Sequence, residues 1–350
     1  MRVLVAMSGG VDSSVAALML QEQGHDLVGV FLRNGVKGAQ AGSKTCCSAS
    51  DSQDAAMVCD RLGIPFYSVD YEQEFATIMD HFAAEYRRGR TPNPCVLCNQ
   101  QLKFGQVLQL MRDLEAEAVA TGHYARSLDG QLLRARDERK DQSYYLFGIE
   151  RSVLPKVLFP LGDLDKAEVR SRAASAGLKT ADKPESMEIC FVTSGDYRDF
   201  VRSRGGKGRA GRFVDREGTE LGRHDGIDAF TVGQRRGLPA LGEAHFVTAI
   251  DPESGDVTLA PRGGLAERTA WVSGAHWLID APAVGTELEA EVKVRARSPA
   301  RPAVLRPADK GQVAVEFREP VEAITPGQAA VFYREDQVLG GAWIEAGGGS

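Results

Sequence analysis

Three cysteines lie in two short segments whose spacing could support sulfur, redox or metal chemistry. Cys95 and Cys98 form a C-x-x-C pair in GRTPNPCVLCNQQLKF, residues 89–104, and Cys190 precedes Phe191 in ESMEICF. A C-x-x-C pair can be a redox disulfide, half of a zinc site, or a catalytic or iron–sulfur site completed by a third cysteine. The sequence has no second C-x-x-C pair for zinc, but spacing alone leaves the choice open.

A glycine-rich loop near the start of the chain could hold a phosphate group. The segment MSGGVDSS, residues 7–14, follows an apolar run and precedes a helical pattern. A strand-to-helix turn of this kind can present backbone N–H groups to an anion. The loop lacks the lysine of a Walker loop, and its adjacent Gly9 and Gly10 do not fit G-x-G-x-x-G. The ordinary alternative is a turn in which Asp12 or Ser13 only caps the helix.

The elements that must position this loop alternate between strand and helix over about the first 125 residues. Apolar runs predict strands at 3–6, 27–32, 66–69 and 118–121, with helical stripes between them. A further helix is predicted at 165–176, ended by Gly177. This alternation predicts an α/β fold with a Rossmann-like parallel sheet, in which ligands bind beyond the carboxyl ends of the strands.

From about residue 200 the sequence is typical of short strands joined by glycine- and proline-containing turns. The segment TELEAEVKVRAR, residues 286–297, alternates apolar and polar residues, and further strands are predicted at 313–317, 329–333 and 338–344. This part is expected to form a small barrel or sandwich.

Size and charge limit the class of protein. The chain has 350 residues and a net charge of −6, so two or three domains are expected. No apolar run could span a bilayer and no signal peptide is recognisable, which predicts a cytoplasmic protein with reduced thiols and no membrane partner. Lysines and arginines cluster without acids at 87–90, 202–212 and 293–306, and these clusters predict a surface for a polyanion.

Seven segments occur in the order found in the tRNA-specific 2-thiouridylases, and the chain resembles this family over nearly its whole length. They are MSGGVDSS, GRTPNPxxxCNxxLKF, ATGHYAR, KDQSYYLF, ICF, TVGQRRGL and TPGQAAVFY. The resemblance implies ATP-dependent thiolation of the wobble uridine of tRNA. The 2-oxygen is adenylated with release of pyrophosphate, and sulfur from a cysteine persulfide then displaces AMP.

The resemblance also implies three domains and a set of partners. The domains are an ATP-binding PP-loop domain of the adenine nucleotide alpha hydrolase type at 1–200, a small β-rich central domain at 201–265 and a tRNA-binding β-barrel at 266–346. ATP and Mg²⁺ are the implied cofactors. The implied partners are the tRNA anticodon stem-loop and a sulfur-donor protein, either a cysteine desulfurase or a sulfur-relay protein.

Individual site residues follow from the same resemblance. Cys98 is implied as the attacking nucleophile, Cys190 as the persulfide carrier and Asp12 as a residue near Mg²⁺ or the phosphates. The implied ATP-binding residues are Ala6, Met7, Ser8, Gly9, Gly10, Val11, Asp12, Ser13, Leu32 and Gly122. The implied tRNA-binding residues are Asn93, Pro94 and Cys95 at the target base, with His123, Lys140, Asp141, Gln142, Arg295, Ala296 and Gln328.

Two departures from the family pattern leave alternatives open. Many members have Asp where this chain has Cys95, and Cys95, Cys98 and Cys190 together could hold a [4Fe–4S] cluster that delivers sulfide. The persulfide route needs only Cys98 and Cys190, and it is the favoured hypothesis. Ala296 cannot stack on a base as an aromatic residue could. Two other hypotheses are a PP-loop synthetase that does not thiolate, and a nucleotide-gated tRNA-binding or redox-sensing protein without turnover.

The remaining cysteines have no predicted part in catalysis. Cys59 lies on an apolar helical stripe and is expected in the core. Cys46 and Cys47 are adjacent in a polar segment, and no role is assigned to them.

Overall fold

A computed structural model describes residues 1–36, 49–184, 189–192 and 196–345, so that Cys46 and Cys47 lie outside the described residues. The chain divides into two compact units. The first unit comprises Met1–Ile78, Cys95–Gly195 and Asp336–Val338, and the second comprises Met79–Pro94, Asp196–Glu335 and Leu339–Ser350.

The first unit contains a five-stranded parallel sheet, as the alternation of strands and helices predicts. Its strand order is β3-β2-β1-β4-β7, and β5 and β6 form a hairpin that is not part of this sheet. The strands are β1 (Arg2–Met7), β2 (Asp26–Arg33), β3 (Phe66–Asp70), β4 (Ala118–Thr121), β5 (Arg126–Leu128), β6 (Gln131–Leu133) and β7 (Val157–Leu158). Val3, Leu4 and Val5 of β1 are fully buried, as expected for a central strand covered on both faces.

The order of the strands places a switch point beside β1. The chain runs from β1 to β2 and β3 on one side, and β4 then pairs with the other side of β1. Doubly wound sheets bind ligands at such a point, beyond the carboxyl ends of the strands. Those ends are Met7 of β1 and Thr121 of β4, which the glycine-rich loop and Gly122 follow directly.

Helices connect these strands and continue into the second unit. They are α1 (Val11–Glu22), α2 (Ala49–Leu62), α3 (Glu72–Arg87), α4 (Pro94–Leu97), α5 (Val107–Asp113), α6 (Lys166–Ser175) and α7 (Tyr197–Gly205), with a π-helix over Cys98–Gln106 between α4 and α5. The predicted helix at 165–176 is confirmed as α6, with Asp165 and Glu168 forming a capping box and Gly177 at φ +63°. None of the described helices is both long and apolar enough to span a membrane.

The second unit contains a four-stranded sheet and a closed six-stranded barrel, and the predicted β-rich architecture is confirmed. The sheet has the order β10-β11-β8-β9, and the barrel closes because β12 pairs with both β15 and β17. The strands are β8 (Gly211–Val214), β9 (Glu220–His224), β10 (His245–Ile250), β11 (Val257–Pro261), β12 (Ala266–Trp277), β13 (Leu288–Lys293), β14 (Arg301–Pro307), β15 (Val313–Glu322), β16 (Ala329–Arg334) and β17 (Gln337–Ile344). The predicted strand at 286–297 is shorter than expected, since β13 ends at Lys293.

Candidate active site

The glycine-rich loop folds so that the N-terminus of α1 can receive an anion. Gly10 is the N-cap residue, and none of the described side chains caps this helix, so Asp12 and Ser13 do not act as caps. The Ser13 and Ser14 hydroxyls instead donate to the Gly10 carbonyl at 3.2 and 2.8 Å. The Ser8 amide donates to the Ser13 hydroxyl at 3.1 Å, which tightens the loop. The first-turn N–H groups therefore remain available for a phosphate.

Two glycines allow the backbone around this loop to pack closely. Gly9 has φ +70°, and a Cβ atom there would lie 2.1 Å from the Asp51 carbonyl oxygen. A Cβ atom on Gly122 would lie 2.6 Å from the Ser13 amide nitrogen. The two glycines therefore lie against α2 and α1, respectively. Of the other predicted ATP-binding residues, Ala6 and Met7 end β1, and Leu32 is half-buried in β2.

Replacing Gly122 by alanine should disturb the loop without adding or removing charge. Because the new methyl group would meet backbone atoms of α1, the loop must shift, and a displacement of this size can lower a reaction rate about a hundredfold. We expect tRNA-dependent pyrophosphate release to fall by about that factor. Gly263→Ala is the control, since no heavy atom lies within 4 Å of its new Cβ atom. Equal rates of pyrophosphate release for Gly122→Ala and Gly263→Ala would contradict the close contact between Gly122 and the backbone of α1.

Asp12 lies in a hydrogen-bonded group that the sequence did not predict. Lys166 Nζ donates to both carboxylate oxygens, at 2.7 and 2.8 Å, and the Tyr124 hydroxyl donates to Oδ1 at 2.9 Å. Lys166 Nζ also lies 5.6 Å from the centre of the Tyr124 ring. A lysine of α6 therefore lies beside a loop that lacks the lysine of a Walker loop. The absence of that lysine is the one sequence signal that could have pointed to a cation from another element.

A second lysine fixes the other side of the loop. Lys183 Nζ donates to the Gly9 carbonyl at 2.9 Å and to Asp51 at 2.7 Å, and it also donates to Asp54. These bonds tie the glycine turn to α2 and to the segment that leads toward Cys190. Sequence inspection missed Lys183, because nothing in its local pattern distinguishes it from a solvated lysine.

The three candidate cysteines all belong to the first unit. Cys95 is exposed in α4, and Cys98 is half-buried at the first position of the π-helix. Cys190 is half-buried in a short turn in which the Val192 amide donates to the Ile189 carbonyl at 3.0 Å. Its neighbour Phe191 is buried and packs edge-on against Phe75 at 5.8 Å. This aromatic contact anchors the turn that carries Cys190.

The π-helix of the C-x-x-C segment is an unusual feature at this position. π-Helical turns are rare and are often associated with functional sites. The Val107 amide donates to the Leu102 carbonyl, five residues earlier. The Asn99 side chain donates to the Tyr145 carbonyl at 3.1 Å, which anchors the start of this helix.

The arrangement of the cysteines bears on the iron–sulfur alternative. Across the described ranges, which include Cys95, Cys98 and Cys190, no three His, Cys, Asp or Glu side chains are placed to hold a metal ion. The three thiols as arranged here therefore do not fit a cluster. Cys59 differs from them, because it is buried in the core and burial raises the pKa of its thiol to about 12. A thiol of this kind is unreactive at neutral pH.

The predicted tRNA-binding residues of the first unit are held by internal bonds. Asp141 accepts from the Ala135 and Ser143 amides, both at 3.1 Å. Gln142 accepts from the Tyr124 amide at 2.9 Å, and Lys140 is half-buried beside them. The 140–142 segment is thus connected through Tyr124 to the Asp12 carboxylate.

His123 is held as a neutral imidazole. Its Nδ1 lies 2.9 Å from the Thr121 hydroxyl. Burial lowers the pKa of His123 well below its usual range, and the positive charge of Lys103 adds to this effect. At neutral pH the ring can therefore contact RNA through hydrogen bonds but not as a cation.

This pKa shift predicts a pH dependence of stability. Below about pH 6.5 the unfolded chain protonates His123 while the folded chain does not, so stability falls as the pH falls. Between pH 7 and pH 5.5, His123→Gln should therefore lose about 1 kcal/mol less unfolding free energy than the wild type. Urea unfolding at the two pH values measures the difference. Parallel losses in both proteins would show that the ring protonates in the folded state.

Five of the predicted tRNA-binding residues belong to the second unit. Arg295 Nη2 donates to the Thr325 hydroxyl at 2.9 Å and also to the Ala323 carbonyl. Gln328 Nε2 donates to the Thr91 carbonyl at 2.9 Å. Ala296 is half-buried, and both Asn93 and Pro94 are buried. Arg295 thus links its own segment to the 323–325 segment of the same unit.

Several lysines and arginines of the clusters at 87–90 and 202–212 are paired with acids, most of which are distant along the chain. Arg202, Arg204, Lys207 and Arg212 contact Asp228, Asp80, Asp225 and Asp256, at 2.8, 2.8, 3.5 and 2.6 Å. Arg90 bridges Glu85 and Glu345 at 2.7 and 2.6 Å. These contacts lie within the second unit. The charges of these particular residues are therefore partly neutralised by the acids that they contact.

Three family models match nearly the whole chain. Residues 1–194 match the tRNA methyl transferase HUP domain, and residues 198–261 match the tRNA methyl transferase PRC-barrel domain. Residues 267–344 match the Aminomethyltransferase beta-barrel domain. The three matches follow the order of the parallel sheet, the four-stranded sheet and the barrel.

Relatives that match over nearly their full length are named as 2-thiouridylases rather than as methyl transferases. The tRNA-specific 2-thiouridylase MnmA of Geobacter metallireducens is 46% identical over 99% of this chain and 97% of its own length. The tRNA-specific 2-thiouridylase MnmA of Rhodospirillum rubrum is 48% identical over 99% of this chain and 96% of its own length. A solved structure of a 4-thiouridine synthetase–RNA complex with bound ATP is similar over 58% of this chain and 50% of that one. Its sequence identity is 15% and its TM-score is 0.38, so the similarity is weak. On the strength of the full-length relatives, the chain belongs to the tRNA-specific 2-thiouridylase family.

Proposed function

We propose that this enzyme replaces the 2-oxygen of the wobble uridine of tRNA with sulfur, using ATP and a cysteine persulfide. The observation that carries the proposal is the uncapped N-terminus of α1 at the switch point of the sheet, in the same unit as Cys98 and Cys190. A phosphate site together with reactive thiols fits activation of an oxygen followed by sulfur transfer. Methyl transfer, which the names of two family models mention, would need neither feature.

The first step activates a poor leaving group. The uridine 2-oxygen attacks the α-phosphorus of ATP, pyrophosphate leaves, and the oxygen becomes part of an adenylate. The N–H groups of α1, including that of Ser13, and the hydroxyl of Ser8 are proposed to bind the phosphates. Lys166 holds the Asp12 carboxylate in place beside them. Mg²⁺, bound by the ATP phosphates with Asp12 as a protein ligand, would neutralise negative charge there.

The second step transfers sulfur. Cys190 carries the persulfide, and the Cys98 thiolate attacks the Cys190 Sγ atom. The S–S bond of the persulfide breaks, a Cys98–Cys190 disulfide forms, and the terminal sulfur leaves as sulfide. Sulfide attacks C2 of the adenylated uridine, and AMP leaves with the original oxygen. A thiol reductant must supply two electrons to reopen the disulfide before the next turnover.

The same proposal covers partners and organisation. The substrate is the anticodon stem-loop of tRNA, with Asn93, Pro94 and Cys95 at the target base. A cysteine desulfurase or a sulfur-relay protein loads Cys190 in the cytoplasm. The division into domains at 1–200, 201–265 and 266–346 is part of the proposal.

One reconstitution tests the function. The protein is purified without oxygen, stripped of metal and loaded with sulfur on its cysteines, and Mg-ATP and unmodified tRNA are then added. Mass spectrometry measures 2-thiouridine at the wobble position, and a coupled assay measures pyrophosphate. We expect one 2-thiouridine per persulfide in the absence of iron.

The other outcomes are equally informative. Product that forms only after iron and sulfide are restored would replace the persulfide route with the cluster held by Cys95, Cys98 and Cys190. No product in either state, with tRNA and ATP both bound, would overturn thiolation.

A further inference from the structure

We propose that the turn at residues 231–237 is a docking surface for the sugar–phosphate backbone of tRNA, through Arg235 and Arg236. We call it the diarginine turn. The proposal rests on tRNA being the substrate and adds a contact surface outside the residues implied by the family resemblance. The turn is part of the TVGQRRGL segment, for which neither the ATP site nor the cysteines provide a use.

The two arginines differ from the members of the basic clusters that are bound to acids. Arg235 and Arg236 are adjacent and exposed. Among the residues that the structure describes, neither guanidinium has an ion-pair or hydrogen-bond partner. Arg202 and Arg212, in contrast, are bound to aspartates. An unpaired guanidinium keeps all five of its donors for a ligand, and its planar fork matches phosphate oxygens.

The turn that carries them is rigid. Gln234 Oε1 accepts from the Thr231 amide at 3.1 Å, and Gln234 Nε2 donates to the Ala229 and Arg236 carbonyls at 3.3 and 2.8 Å. The backbone of the turn is also paired with Val247 on β10, in both directions, at 2.8 and 3.0 Å. A turn fixed in this way loses little conformational entropy when it binds.

The turn is continuous with two of the predicted tRNA contacts. Arg295 Nη2 donates to the Val232 carbonyl at 3.4 Å. The Thr231 hydroxyl lies 3.3 Å from that of Thr91, whose carbonyl accepts from Gln328. All of these residues belong to the second unit. The exposed arginines therefore extend a group that already includes two predicted RNA contacts.

A negatively charged partner of this turn could be RNA or an acidic face of the sulfur-donor protein. The continuity with predicted tRNA contacts favours RNA. Two adjacent guanidiniums on a fixed turn suit a backbone with regularly spaced phosphates. Phosphate contacts position an RNA without reading its sequence, so the turn should strengthen binding of all substrate tRNAs alike. The net charge of −6 makes a local positive surface more important for attracting RNA.

The test measures tRNA affinity over a range of salt concentrations with the full-length protein. The variants are Arg235→Gln/Arg236→Gln, the charge-preserving Arg235→Lys/Arg236→Lys, and the control Lys310→Gln/Arg334→Gln. The control removes the same charge from exposed residues of the same unit. Fluorescence anisotropy with unmodified tRNA gives the dissociation constants, and thermal unfolding checks the fold.

In a plot of log affinity against log salt concentration, we expect Arg235→Gln/Arg236→Gln to reduce the magnitude of the slope by about 1.5. Each lost phosphate contact removes roughly 0.7–0.9 from that slope. The ratio of wild-type to variant tRNA affinity should therefore fall roughly tenfold between 50 and 200 mM salt. The lysine variant should keep most of the slope, and the control should match the wild type.

The opposite results would overturn the proposal. A wild-type slope in the glutamine variant would remove the turn from the tRNA surface. Slower sulfur loading from the donor protein with unchanged tRNA binding would assign the turn to that protein instead. Both results are differences between a variant and the wild type, whereas failure of the proposed function is the absence of 2-thiouridine from the reaction of the wild type itself.

Discussion

Cys98→Ser and Cys190→Ser should each lower 2-thiouridine formation by at least about a thousandfold, because each removes a nucleophilic sulfur from the proposed relay. Release of pyrophosphate in the presence of tRNA should continue, since adenylation of the uridine oxygen uses neither thiol. The two measurements therefore separate loss of sulfur transfer from loss of the fold or of ATP binding.

The two variants should fail at different points. Cys190→Ser should not acquire the transferable sulfur, because Cys190 is the proposed carrier. Cys98→Ser should still be loaded on Cys190 but should not release that sulfur to the uridine. Mass spectrometry of the intact protein after incubation with the sulfur donor, before and after addition of ATP and tRNA, distinguishes the two states.

Cys59 and Cys95 provide the controls. Cys59→Ala removes a buried thiol whose pKa is raised to about 12, so sulfur transfer should not change. Cys95→Asp introduces the residue common in the family and should retain activity within a few-fold if the persulfide route operates. Loss of product in Cys95→Asp equal to that in Cys98→Ser would contradict this route and favour the cluster. Unchanged product in Cys98→Ser would remove Cys98 from the mechanism.

The sequence predicted the features that depend on local patterns. Apolar runs of four to six residues correctly predicted β1 to β4, and Gly177 correctly predicted the end of α6. The period-two pattern at 286–297 extended beyond the real strand, because β13 pairs with β14 only as far as Val292 and with β16 only as far as Lys293. Alternation shows which residues share a face, but the partner strands decide where pairing ends.

Features that depend on distant residues were not predictable. The π-helix at Cys98–Gln106 has an ordinary helical composition, and its start is anchored by a bond from Asn99 to the Tyr145 carbonyl. The acids that pair with Arg202 and Arg204 lie 26 and 124 residues away in the chain. Lys166 reaches Asp12 across 154 residues. A single sequence offers no way to bring such residues together before the fold is known.

Lys166→Met is expected to slow adenylation by about a hundredfold to a thousandfold, as loss of one fixed charged donor in an active site commonly does. The ammonium group donates to both Asp12 oxygens, and without it only the proposed Mg²⁺ would balance this carboxylate beside the incoming ATP phosphates. Repulsion between the carboxylate and the phosphates should raise the KM for ATP as well. Pyrophosphate release over a range of ATP concentrations measures both effects.

Lys179→Met is the matched control, since it removes an exposed lysine of the same unit that does not contact Asp12. Sulfur loading of Cys190 should be normal in both variants, which separates a defect in the ATP site from a general loss of structure. Asp12→Asn combined with Lys166→Met should be less damaging than the sum of the single changes, because the lysine acts through this carboxylate. Full additivity, or adenylation by Lys166→Met within about threefold of wild type, would show that the missing cation of the glycine-rich loop is not supplied by α6.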